Sequence, residues 1–331
     1  MPVETLEVAA WQARRAAHEE RVDAWVGPHL ERRRQGVAHP VEDFLFGYYA
    51  HRPAALRRWH PGYGVGLAEG APYAGLKGYV VRGGVATVSD EHLVSQRLLV
   101  ETLHRLLAAT AGRAPQLGCF GMHEWAMVYR LPQDEVRHAS WPLRLGEAGT
   151  DAVVEQHRIS CSHFDAFRFF TDEARPRNTL QPRSDDRPEL EQPGCLHAGM
   201  DLYKHAYRLT PLVPSELVAD CFALARDIRV LDMRASPYDL SGLGYSPVRV
   251  ETAAGKQAYV AAQRDFAEQG APLRARLVEE CERLLRVTDR LAQRPGGTTF
   301  SRVLLGDPTP VTLSQPGAVR SDESSSKVRT V

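Results

Sequence analysis

Surplus charge, cysteine and long apolar runs are all scarce in this 331-residue sequence. Each scarcity excludes a class of protein. Lys plus Arg and Asp plus Glu both total 41, so the formal net charge is zero. A nucleic-acid binder of this composition would need its positive charge gathered on one face. The five cysteines (Cys119, Cys161, Cys195, Cys221 and Cys281) are odd in number and widely spaced, which argues against a disulfide framework and for a reducing compartment. No run approaches the roughly 18 apolar residues that mark a membrane span. The opening MPVETLEVAAWQARRAAHEE is polar and amphipathic, not a basic-then-apolar leader. The expectation is a soluble, cytoplasmic chain with no membrane partner.

Several catalytic signatures are missing as well. The sequence holds no C-x-x-C pair, and Met127 stands where H-E-x-x-H would place its second His. It contains no G-x-x-x-x-G-K-[ST] cradle and no G-x-S-x-G elbow, so a nucleotide cofactor and an α/β-hydrolase nucleophile are unsupported. No cofactor is predicted, although a divalent metal is left open by the residues described below.

What remains is ordinary globular composition, 43% hydrophobic and 25% charged, with ample material for a core. Apolar residues recur at helical spacing over 5–35, interrupted at Gly27-Pro28, over 90–107 and 215–231, and over 253–291, where Pro272 is expected to kink or break the pattern. Gly83-Gly84 between YVVR and VATV marks a β-hairpin. VVEQHRIS reads as a strand, and residues 174–194 as a long functional or mobile loop. The predicted fold is mainly α: one helical catalytic domain over 1–292 with a small β-hairpin or sheet element. A disordered tail is expected over 293–331, where Gly, Pro, Ser and Thr dominate.

The chemistry is concentrated between Gly118 and Asp201. GCFGMHEWAMVYR, HRISCSHFDAFRFFT and EQPGCLHAGMDLYK set His, Cys and acidic residues among bulky apolar ones. Burying such groups is costly unless they are paired, so three runs of this kind point to one polar pocket. His123, His163, Asp165, His197 and Asp201 are expected to converge there. As a metal site, His123, His163 and His197 are the first candidates, since neutral imidazole suits most first-row metals. As a hydrolytic site, a carboxylate in an aromatic pocket could stabilise an oxocarbenium-like transition state. The blander alternatives are hydrogen-bonded core residues, core aromatics and, for Asp232 with Arg234, a structural ion pair.

The stretches HPVEDFLFGYY (39–49), LRRWHPG (56–62), GCFGMHEWAMVYR (118–130), HFDAFRFFT (163–171), EQPGCLHAGMDLYK (191–204) and LDMRASPYDL (231–240) resemble a bacterial family commonly labelled 3-methyladenine DNA glycosylase. The resemblance covers roughly residues 8–290 and implies hydrolysis of the N-glycosidic bond of an alkylated purine, with DNA as partner. Under it, Asp165 or Asp201 would position water, tuned by His163 and His197. Trp125 and Tyr203 would stack the base, and His123 and Glu124 would contact it. Arg57, Arg58 and the 174–194 loop would hold phosphates. The alternatives are a metal-dependent enzyme acting on a small molecule through its His, Cys and acidic residues, and a non-catalytic ligand-binding protein with the same pocket.

Overall fold

Apolar residues at helical spacing carry most of the chain, and the elements follow them. The structure, a computed structural model, describes residues 4–293. Strand β1 (Glu4–Leu6) leads into α1 (Val8–Arg34), followed by short helices α2 (Phe44–Tyr48) and α3 (Pro53–Arg57). Three more strands follow, β2 (Val65–Leu67), β3 (Tyr79–Arg82) and β4 (Val85–Val88). The rest is helical: α4 (Asp90–Ser95), α5 (Arg97–Ala111), α6 (Met122–Ala126), α7 (Gly146–Gln156), α8 (Phe164–Phe167), α9 (Arg187–Leu190), α10 (Leu196–Arg208), α11 (Ser215–Arg234) and α12 (Ala253–Ala292). The fold is mainly α with a small sheet. The tail expected from residue 293 onward lies outside the described residues, Gln293 excepted.

The sheet runs β1-β2-β4-β3, with β1 parallel to β2 and the other pairs antiparallel. Gly83 and Gly84, at φ +56° and +83°, turn β3 into β4, a backbone that a Cβ would disfavour. The principal core is helical. Helix α10 packs most closely on α11, and α12 packs on both and on α5. Gly199 permits the first contact, since a Cβ there would stand 2.7 Å from Ile228 Cδ1. None of the described helices is long and apolar enough to cross a membrane.

Three sequence expectations are corrected. Pro28 and Pro272 lie inside α1 and α12, yet neither helix stops. Both prolines are exposed, as are Ala24 and Glu268 four residues before them, so each interrupted turn lies on the solvent side of its helix. The strand expected at VVEQHRIS is instead the end of α7, followed by extended chain in which Ile159 makes an isolated bridge with Asn178. The 174–194 segment is not a bare loop: it contains two 3₁₀ turns and α9, and it sends Arg187 into the interior.

Candidate metal centre

His123 enters the interior just after a left-handed turn. Phe120 at φ +49° and Gly121 at +70° lead into α6, all of whose residues are buried. Phe in this region is strained, and such strain tends to gather at functional sites. His123 Nε2 faces Asp232 Oδ1 at 2.9 Å, while Asp232 Oδ2 accepts from Arg229 Nη1 at 2.7 Å. The same guanidinium nitrogen donates to Glu124 Oε1 at 3.0 Å. Arg229 and Asp232 stand three apart on α11 and therefore share a face. None of these four side chains belongs to a residue more than 7% exposed.

Burial alone would push His123 down, but the Asp232 carboxylate outweighs it and holds the imidazole well above the ordinary histidine value. Burial would likewise raise Asp232, and the His123 charge, aided by Arg229, brings it below the usual range. Glu124 goes the other way, raised by burial and by the negative charge of Asp232 against the pull of Arg229.

His197, near the start of α10, stands edge-on to His123, with ring centroids 4.5 Å apart. Its ring is 5.4 Å from that of His163. Burial, reinforced by the charge of His123, holds His197 well below the histidine value, so the ring is neutral with a lone pair to offer. One ligand atom each from His123, His197 and Asp232 fall within 4.8 Å of one another.

A second ionic network adjoins this one. Asp201 accepts from Tyr49 Oη at 2.9 Å and from Arg187 Nη2 at 2.7 Å. Lys204 Nζ donates to Asp165 Oδ2 at 2.6 Å and stands 3.5 Å from Asp201 Oδ2. Arg187 also binds Glu191 through Nε. His163 Nε2 lies 3.3 Å from Glu191 and 3.4 Å from Asp201, within electrostatic reach of both but aligned for a hydrogen bond with neither. Burial would raise Asp201, yet His163 and Lys204 hold it well below the carboxylate range.

A cavity of about 780 Å³ is lined by His123 and His197 from the first network. This is an ordinary size for a small-molecule site. His197 also lines a crevice of about 20 Å³ beside Glu124, Asp165 and Arg229. No protein-family model, curated protein or solved structure matches the chain. Geometry alone therefore carries the functional reading.

The expected residues divide into three groups. His123, Glu124, His163, Asp165, His197 and Asp201 fall in the two adjoining networks, but only His123 and His197 of these line the large cavity. Trp125 and Tyr203 are wholly buried and give no face to an extruded base. Trp125 donates Nε1–H to the Ala235 carbonyl at 2.9 Å, and Tyr203 packs among Tyr49, Tyr207 and Phe222. Arg57 lies in another place and is held by Asp23 at 2.7 Å; Arg58 is exposed beside it. Cys161 and Cys195 line the cavity, but burial pushes both thiols up and away from the reactive thiolate.

Sequence reasoning weighed Asp232 with the wrong partner and missed three further residues. Asp232 pairs with His123 and Arg229, whereas Arg234 donates to the Ser246 carbonyl. Arg229, Arg187 and Glu191 were not singled out. The signals were there: Arg229–Asp232 at i,i+3 and Arg187–Glu191 at i,i+4 are charge pairs within helices or at their ends.

Proposed function

We propose that this chain is a metal-dependent enzyme acting on a small molecule in the large cavity, with His123, His197 and Asp232 as metal ligands. The supporting observation is the approach of their ligand atoms to within 4.8 Å of one another, at a buried point where His123 and His197 line a cavity of about 780 Å³. Two imidazoles and one carboxylate suit a first-row divalent metal and leave positions open for substrate or water. The donor set fits such an ion. His197 is held neutral, and the proton shared by His123 and Asp232 occupies the place a cation would take.

A metal bound there would polarise a substrate oxygen or acidify a water. The chain's own groups have separable roles. Arg229 holds the second oxygen of Asp232 and fixes its orientation, as outer-shell partners of ligands do. Glu124 accepts from the same Arg229 nitrogen and so helps to fix the guanidinium that orients Asp232. The glycosylase reading draws less support from the geometry. Asp201 is saturated by Tyr49 and Arg187, Asp165 is neutralised by Lys204, and neither lines the large cavity.

Elemental analysis of purified protein tests the proposal. Near-stoichiometric first-row metal is expected, lost in His197→Ala and kept in His163→Ala. Protein that neither contains a metal nor takes up zinc, iron(II), manganese or cobalt would overturn it, as would full metal retention by His197→Ala.

A further inference from the structure

The lining of the large cavity has one sign of charge. Lys256, Arg158 and Arg113 contribute to it, and among the described residues no Asp or Glu does. Arg113 is committed elsewhere, donating to the carbonyls of Ala109 and Glu191 at 2.9 and 3.0 Å. Lys256, half-buried and 5.8 Å from the Phe120 ring, and the exposed Arg158 remain to meet a ligand.

Lys256, Tyr259 and Gln263 stand at i, i+3 and i+7 on α12 and so share a face. Tyr259 and Gln263 are 0% and 1% exposed, yet the Tyr259 hydroxyl and Gln263 Oε1 have no hydrogen-bond partner. The amide orientation of Gln263 is set chemically: its Nε2 donates to the Gly194 carbonyl, which can only accept. Oε1 is therefore the atom left unpaired, and it calls for an O–H or N–H donor. Buried polar atoms are rarely left unpaired, because the loss of hydration is not recovered. Two such atoms, on residues that line the cavity together with a cation, call for partners that a ligand could supply.

We infer that the cavity binds a small anion that also carries a hydrogen-bond donor. Its carboxylate or phosphate meets Lys256 and Arg158, and its O–H or N–H meets Gln263 Oε1 beside the Tyr259 hydroxyl. This specifies the substrate class of the proposed enzyme and rests on that reading of the cavity.

The test is calorimetric titration and thermal shift on the full chain at fixed ionic strength, as purified and after chelation. The probes are lactate, malate and glycerol phosphate, with methyl lactate and ethanolamine as neutral and cationic counterparts. At least one anion should bind saturably and raise Tm, while the counterparts do not. Binding of the hydroxy acids alone identifies a carboxylate site, and binding of glycerol phosphate alone a phosphate site. Lys256→Met should weaken binding about tenfold or more, the scale of one charge-assisted hydrogen bond. Tyr259→Phe should weaken it while leaving the Tm of the unliganded protein unchanged or higher, because the lost hydroxyl had no partner. Failure of all three anions, equal binding of the counterparts, or undiminished binding by both variants would overturn the inference. A lowered Tm of unliganded Tyr259→Phe would do the same, since it marks a structural hydroxyl. An anion bound equally by chelated protein keeps the inference even if no metal is found. Metal-loaded protein that binds none of the anions defeats it and leaves the metal proposal intact.

Discussion

Asp201 accepts hydrogen bonds from Tyr49 and Arg187 while Lys204 stands 3.5 Å away, all within a residue 1% exposed. Replacing it by Asn keeps the shape but removes the charge that compensates two cations. Removal of one partner from a buried ion pair costs about 3–5 kcal/mol. Asp201→Asn should therefore lower unfolding stability at neutral pH by that order, measured in urea. The sign of the pH dependence follows from the depressed carboxyl pKa in the fold. The stabilisation is fully present above the unfolded value of roughly 3.9 and is lost as pH falls through the folded value. The wild-type protein should accordingly lose stability more steeply than Asp201→Asn as pH falls below about 4. Parallel curves for the two proteins would refute this account.

At the scale of elements, legibility tracked locality. The β3–β4 hairpin could be read because its signal, two glycines between β-branched runs, is contained in the turn itself. The helices could be read from spacing, but their continuity through Pro28 and Pro272 could not. Whether a proline breaks a helix depends on which way the orphaned carbonyl faces, and that is fixed by tertiary packing. The site shows the same division. His123 and His197 stood out as polar residues in apolar runs, whereas Asp232 seemed paired to Arg234 because the partner it has, His123, is 109 positions away. Tyr259 and Gln263 looked like ordinary helix residues, since nothing local shows that their polar atoms are stranded. A prediction belongs here too. Pro272 is exposed and disrupts one backbone hydrogen bond of α12, so Pro272→Ala should stabilise the protein by about 1 kcal/mol or more in urea unfolding. A destabilised variant would mean that the proline serves the packing of α12 against α10 and α11.

For the whole molecule, the telling quantity is the distance along the chain that the site bridges. Tyr49 meets Asp201 across 152 positions, and Glu124 meets Arg229 across 105. Contacts of such separation form late, because chain closure must be met before they contribute. On refolding from urea, helical signal should recover before the proposed binding of metal or anion, and simultaneous recovery would speak against this order. Growth of the polypeptide imposes a similar sequence. An emerging chain that ends before Asp232 has the imidazoles of His123 and His197 but lacks the carboxylate that stands with them, and one that ends before Tyr259 lacks a wall of the cavity. The spacing of those pairs thus acts as a check on completeness, so that a nascent or clipped fragment can be helical while its buried polar cluster is still unassembled.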